Sequence, residues 1–564
     1  MIIGLIDTGA VLDHPSFSGE GMPKPPLKWK GRCDFNVSMC NNKLMGLRVF
    51  LNGPGNLPLV ENEPLMDDVG HGTHTSSSAA SASVAGADVL GNGKSVASGI
   101  TPKAHVAMYK AHDSTGCYNS DILVAIDAAI VDGVDVLSLL IGTGSSTFYE
   151  DMIGIEAFSA IEKGIFLTVT VSTTDRSIRA MVKLGNGLSY EAESLNQSQS
   201  STLASYPLVF VGDNNINPYV AFCVDGAFDG FDGLNVLSAG GAGMIIMNQQ
   251  TDGYTIFADP HVLPGSEVSY VDGLKIMAYI DSTANVTTSF LFQGTLFGQS
   301  PSPAPAIASF SSCGPDKASP GILKPVIVGP GVNVLAALHS TVSIIANSLS
   351  PQFIFNIISG TSMATPHLAG IATLIKAAHP DWSPAAIKSA IMTTADIMNK
   401  NGSLIVDEHL HLPADLFAVG AGHMNPVNAV DPGLRTGPGE PGSGRDSLGY
   451  NSSKVGMILR RPIDCKTVKV IAEAELNHPS LSISFADNKT SSITVERTVK
   501  NVGETKSNYS AKIDVHAGVN VTVQPNVLQF TMANQELKFN VTVNRSSGAG
   551  GDNHTQKSFE LDFR

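Results

Sequence analysis

Three short segments of the chain carry residue types that together can break an acyl bond. Ile6-Asp7-Thr8-Gly9 ends an apolar run on a carboxylate, and Gly70-His71-Gly72-Thr73-His74 sets an imidazole between glycines. Ser359-Gly360-Thr361-Ser362-Met363-Ala364-Thr365-Pro366 puts a hydroxyl just ahead of an apolar stretch. A serine becomes a nucleophile when a base takes its proton, and the base needs an acid to hold its tautomer. Asp7, His71 and Ser362 can fill these roles, and the chain order Asp, His, Ser is one known solution to that geometry. A hydroxyl at a helix N-terminus also lies beside free N–H groups and the positive dipole end, where an oxyanion is stabilised. Singly, each motif reads as local structure: a cap at Ser362, a turn histidine at His71, a turn former at Asp7. Their joint occurrence favours catalysis, while His74 takes a structural reading alone.

The elements that must position these groups follow from apolar periodicity. Ile2 to Ile6 reads as a compact strand ending at Asp7, and His105 to Tyr109 as another. Ser120 is expected to cap a helix running to about Val131, with Gly133 as its stop and Val134 to Leu140 as the next strand. A second helix spans Met152 to Glu162, Gly164 stops it, and Ile165 to Val171 is again a strand. Repeated βα units predict an α/β fold, a parallel sheet covered by helices on both faces, with chemistry at the carboxyl ends of the strands. Ser138 to Gly144 is a candidate edge strand for pairing with an extended peptide, or a plain interior strand and turn.

This α/β pattern occupies residues 1–182 and resumes over 301–434. Between them, 183–300 reads as an inserted module with a strand at Gly243 to Met247 and a helix at Leu274 to Ile280. Residues 435–470 read as a linker whose Gly/Pro-rich start, 435–446, is expected to lack structure. From 471 to 564 strict alternation, as in Tyr509/Ala511/Ile513/Val515 and Leu537/Phe539/Val541/Val543, predicts a β-sandwich.

With 564 residues, 43 % of them hydrophobic, the chain can bury several cores. Its net charge of −15 argues against nucleic acid or an anionic membrane as partner. No apolar run is long enough to span a bilayer, and no secretory signal is read in Met1 to Ile6. Eleven Asn-x-Ser/Thr sequons, five of them between Asn488 and Asn544, favour a glycosylated, secreted protein. Cys33 and Cys40 could close a local loop, whereas Cys117, Cys223, Cys313 and Cys465 have no obvious partners. Neither zinc-ligand nor calcium-loop spacing is present, so no metal and no cofactor are expected.

The chain resembles the plant subtilisin-like serine proteases, the subtilases, over nearly its whole length. The likeness rests on the three segments above and on Trp29-Lys30-Gly31-Arg32-Cys33, Asp132-Gly133-Val134-Asp135-Val136, Gly321-Ile322-Leu323-Lys324-Pro325, Ala421-Gly422-His423-Met424-Asn425-Pro426 and Thr498-Val499-Lys500-Asn501-Val502-Gly503. The resemblance implies that Asp7, His71 and Ser362 are a catalytic triad. It also implies that the insert is like a protease-associated domain and the tail like a fibronectin type-III domain. The implied activity is secreted, cofactor-free endoproteolysis of protein or peptide substrates in the apoplast or cell wall. A homodimer through the insert is open by the same analogy, with no independent support in the chain.

Departures from the family pattern keep a second reading open. Subtilases carry an Ala-Gly-Asn segment after the strand equivalent to Ile165–Val171, and that asparagine donates to the oxyanion. Here the strand leads into Ser172-Thr173-Thr174-Asp175-Arg176, and the next asparagine is Asn186 in a Gly-Asn-Gly turn. The insert is cut near Asp229 to Asp232, which would leave Cys223 without its partner. Cys313 stands where the family usually has Arg, and Val326 where it usually has Asp. The alternative is therefore a catalytically impaired paralogue that binds peptides without cleaving them.

Overall fold

A computed structural model describes the chain except residues 35–39, 54–66, 114–115, 140–146, 167–170, 198–203, 211–218, 225–232, 283, 299–301, 317, 320, 340–352, 437–449, 468–471, 484–491, 516–518, 546–558 and 564. At its centre lie four parallel strands: β1 (Ile2–Asp7), β2 (Leu44–Val49), β3 (His105–Lys110) and β4 (Val136–Leu139), in the order β2-β3-β1-β4. All six residues of β1 are buried, because helices cover both faces and both sets of alternating side chains must be apolar. Ile2 and Ile6 pack on one face with Ile122, Ile126 and Ile153. Ile3 and Leu5 pack on the other with Ala79 and Ala80. Those partners come from α2 (Asn119–Asp132) and α3 (Met152–Glu162) on the first face, and from α1 (His71–Ala80) on the second.

Helix α2 begins behind Tyr118 with no side-chain cap, so Ser120 lies inside the first turn instead of capping it. Gly133 ends the helix at φ 87°, a left-handed conformation that glycine reaches without strain. Val136 bridges to Phe166 on the side of β4 away from β1, which makes the start of β4 interior; the 140–144 part of the candidate edge strand lies outside the described residues. Val171–Ser172 pairs in parallel with Gly329–Pro330, and the remainder of the expected Ile165 to Val171 strand at 167–170 also lies outside them.

The middle of the chain forms a closed seven-stranded barrel. Its strands are β5 (Arg176–Leu184), β6 (Ser189–Glu193), β7 (Tyr206–Phe210), β8 (Tyr219–Val224), β9 (Gly241–Met247), β10 (Gly265–Val268) and β11 (Thr287–Phe297), ordered β5-β6-β10-β9-β8-β7-β11. Val182, Val220, Phe222, Ile245 and Phe290 fill it, and α4 (Tyr270–Ser282) adds Ile276 and Tyr279. The barrel's first strand starts at Arg176 and straddles the boundary expected between 182 and 183. The expected cut at 229–232 lies outside the described residues. Cys223 is buried in β8 without a disulfide, and burial pushes its thiol up to about 12.

After the barrel, α5 (Thr361–Ala378) and α6 (Pro384–Thr393) close a second core through Leu368, Ile371, Ile375, Ile387 and Ile391, with Phe166 and Val136. Ser383 caps α6 through the Ala386 N–H. The expected linker is partly ordered structure. Leu434–Thr436 is a strand paired with Ser492–Asn501, and Ser452–Leu459 is a helix capped by Asn451. The run 437–446 lies outside the described residues. The tail is a sandwich of two antiparallel sheets around Val495, Val521, Val523, Leu528, Phe530, Phe539, Val541 and Val543. Cys33 and Cys40 form a disulfide.

Candidate active site

Asp7 is the last residue of β1 and is almost wholly buried. Its Oδ1 accepts from the Thr8 N–H at 2.7 Å and from His71 Nδ1 at 2.7 Å, and its Oδ2 accepts the Thr75 hydroxyl at 2.7 Å. A carboxylate can only accept, so the ring proton of His71 sits on Nδ1 and leaves Nε2 as the basic atom. Burial alone would raise the Asp7 pKa, yet the His71 charge and the hydrogen bonds from His71, Thr75 and Thr8 outweigh it and hold the carboxyl below its ordinary range. Burial alone would lower His71, but the Asp7 carboxylate, its hydrogen bond and the nearby Asp67 raise the imidazole above 6.5.

His71 opens α1, whose N-cap position is Gly70 at φ 87°, with no side-chain cap of its own. Asp67 takes that role from upstream: Oδ1 accepts the Gly70 N–H at 2.8 Å and Oδ2 the Thr73 N–H at 2.6 Å. The first turn of α1 lies directly on the loop after β1. A Cβ at Gly72 would sit 2.1 Å from the Gly9 carbonyl oxygen, so only glycine fits. His74, one turn on, is fully buried with Nε2 bonded to the Val334 carbonyl at 3.0 Å, and burial pulls it down to about 3. Its place is structural.

Ser362 stands in the first turn of α5, half-buried, behind Gly360 at the N-cap position. Helices α1 and α5 lie against each other: a Cβ at Gly370 would meet the Ala79 carbonyl at 3.3 Å. Among the described residues neither the Ser362 hydroxyl nor His71 Nε2 has a hydrogen-bond partner. The structure thus brings Asp7 and His71 into direct contact and sets Ser362 on the neighbouring helix. Asn186, by contrast, is in the turn between β5 and β6, where its side chain accepts the Leu188 N–H at 3.0 Å.

Sequence reasoning missed Asp67, Thr75 and the hydroxyl of Thr8. A carboxylate three residues before a glycine that precedes a helix is a capping signal in retrospect, but it competes with every other Asp in a loop. Among the described residues no three His, Cys, Asp or Glu side chains are grouped to hold a metal ion. No helix among them is long and apolar enough to cross a membrane.

Comparison with known proteins agrees with this architecture. The subtilase family profile matches residues 1–422, and a fibronectin type-III domain profile matches residues 475–562. Subtilisin-like protease SBT1.2 of Arabidopsis thaliana is 36 % identical over 96 % of this chain and 76 % of its own length. Subtilisin-like protease SBT1.5 of the same plant is 38 % identical over 96 % of this chain and 78 % of its own. For subtilisin-like protease SBT1.7 the values are 36 %, 99 % and 80 %.

Proposed function

Because the chain belongs to the subtilase family of serine peptidases, we propose that Asp7, His71 and Ser362 make it a secreted endopeptidase acting on proteins. Ser362 Oγ attacks the scissile carbonyl carbon while His71 Nε2 takes the hydroxyl proton. Collapse of the tetrahedral intermediate breaks the C–N bond, and His71 returns the proton to the leaving amine. Water, activated by the same imidazole, then hydrolyses the acyl-enzyme. Asp7 holds the tautomer and stabilises the imidazolium. The Ser362 N–H lies in the first turn of α5, where N–H groups have no intrahelical partner, and is available to the oxyanion.

The observation that carries this reading is the 2.7 Å contact between buried Asp7 and His71 Nδ1, which leaves Nε2 free to act as a base. Its test is labelling by a fluorophosphonate together with cleavage of a quenched peptide, in the parent and in Ser362→Ala. Labelling confined to the parent supports the triad, whereas equal labelling of both refutes it. Secretion and glycosylation rest on the sequons, of which Asn285, Asn401, Asn508, Asn520 and Asn540 are exposed. Asn196 instead donates to the His261 carbonyl at 2.7 Å.

The impaired reading keeps one observation of its own: Asn186, the first asparagine after Ile165, is tied into a barrel turn. Loss of an oxyanion side-chain donor costs about 10²–10³ in kcat, a figure measured in subtilisin itself. Peptide binding at the cleft with turnover reduced by that factor or more would favour this second reading.

A further inference from the structure

A buried chain of polar side chains runs from the barrel to the segment that carries Ser362. Glu193, at the end of β6, accepts through Oε2 from the side-chain Nδ2 of Asn333. The Asn333 N–H donates to the Ser359 hydroxyl oxygen at 2.9 Å, and the Ser359 hydroxyl donates back to Asn333 Oδ1 at 3.4 Å. The Asn333 carbonyl accepts from Arg176 at the start of β5, at 3.1 Å. Asn333 is therefore bonded to two barrel residues and to one residue three positions before Ser362.

Three features set this apart from ordinary packing. Asn333 is buried and holds φ 52°, a left-handed conformation uncommon outside glycine and one that asparagine tolerates better than most other residues. The next residue of the nucleophile segment is held by the same loop: the Gly360 N–H donates to the Gly331 carbonyl at 2.8 Å. A Cβ at Gly331 would lie 2.7 Å from the Gly360 carbonyl oxygen and 3.1 Å from the Ala364 nitrogen, so the loop touches the first turn of α5. Finally, Glu193 decides which way the Asn333 amide faces. Only with Nδ2 spent on a Glu193 carboxyl oxygen does Oδ1 turn to Ser359.

We propose that Glu193 and Asn333 are positioning residues through which the barrel holds Ser359 and Gly360, and with them the hydroxyl and N–H of Ser362, in the attacking geometry. The proposal rests on the assignment of Ser362 as nucleophile. The barrel is then a working part of the peptidase, and a slip of its seam against the catalytic core reaches the nucleophile through Asn333. Misplacing a reacting group by about 1 Å can cost about 10²-fold in rate.

The test uses the full chain, comparing Glu193→Ala, Glu193→Gln, Asn333→Ala and Ser359→Ala with the parent. Glutamine keeps an oxygen that accepts from Asn333 Nδ2. Expected are a loss of kcat of about 10–100-fold in the three alanine variants with KM within about twofold, and recovery in Glu193→Gln to within about threefold. Combining Glu193→Ala with Ser359→Ala should cost little more than either alone, as members of one network do. Amide hydrogen exchange over Gly360 to Ala364 is read in parallel, and should quicken in Glu193→Ala but not in Glu193→Gln. Parental kcat and exchange in Ser359→Ala, or a glutamine variant no better than alanine, overturns the proposal. If the parent itself neither labels nor cleaves, the nucleophile assignment fails, and the exchange pattern alone decides whether Glu193 and Asn333 hold the segment.

Discussion

The carboxylate of Asp67 accepts the hydroxyl of Thr8 at 2.7 Å, and that hydroxyl oxygen in turn accepts the Gly72 N–H at 2.8 Å. Thr8 follows Asp7 at the end of β1, and Gly72 follows His71 at the start of α1. The two residues therefore tie the strand end that carries Asp7 to the helix start that carries His71. The side chains of the preceding residues, Asp7 Oδ1 and His71 Nδ1, meet at 2.7 Å, and this link helps set the spacing of the two elements.

Asp67→Ala should destabilise the protein by about 3 kcal/mol, since it strands the Thr8 hydroxyl and the buried Gly70 and Thr73 N–H groups. A thermal scan should show a lower Tm, and kcat should fall as α1 loses its anchor. An unchanged Tm would mean that water takes over these donors.

Ser362→Ala should abolish turnover, by about 10⁶-fold in kcat, with the melting transition unmoved. The Ser362 hydroxyl makes no hydrogen bond among the described residues, so its removal leaves no group unpaired. Residual hydrolysis near the parent rate would remove Ser362 from the mechanism.

Asp7→Asn should cost about 10⁴-fold in kcat, because an amide at this position can donate to His71 and select the wrong tautomer. With the amide nitrogen turned to His71, the Asn oxygen still accepts the Thr75 hydroxyl while the Thr8 N–H loses its acceptor, so the variant should fold with a Tm a few degrees lower. A loss under tenfold, measured on the quenched peptide, would mean that Asp7 does not orient the base.

Since His71 acts as a base only when neutral, kcat/KM should rise with pH along a limb centred above 6.5. In Asp7→Asn that limb should move down, with the raising charge gone. The stability carried by the pair has two edges. The raised His71 contributes fully below its unfolded value of 6.5 and loses its contribution as pH rises through the folded one. The lowered Asp7 contributes above its unfolded value of 3.8 and loses it as pH falls through the folded one.

Glu193 and Glu408 line one small polar cavity at the seam of barrel and catalytic core, and burial raises them to about 8 and about 7. Here the native state binds more protons than the unfolded chain between 4.5 and those values, so stability falls as pH rises through that window. The slope is about 1.4 kcal/mol per pH unit for each group while it is protonated only in the native state. Melting curves from pH 5 to 8.5 should show Tm falling in the parent, and falling less steeply in Glu408→Gln. A flat profile would place both carboxyls in contact with water.

Much of the architecture is legible along the chain. The run Ile2 to Ile6 is buried on both faces and reads as a parallel strand, Gly133 and Ser383 mark helix ends by their backbone and side-chain chemistry, and alternation in Leu537 to Val543 follows the sandwich core. Local reading fails where a partner decides the outcome. Arg435 and Thr436 open the Gly/Pro-rich run expected to lack structure, yet they are strand because Lys500 and Val499 pair with them. Ser120 has the side chain of a cap, but the helix begins one residue earlier.

By itself the sequence determined which groups can do the chemistry and which local elements carry them, because helix and strand periods and glycine stops are written in consecutive residues. Tertiary structure alone decided how those elements meet. Asp67 reaches Thr8 across 59 positions, and Glu193 reaches Asn333 across 140. Hydrogen bonds at such separations leave no periodic trace, since any carboxylate and any donor in a loop look alike until the folded backbone brings one pair together and buries it away from water.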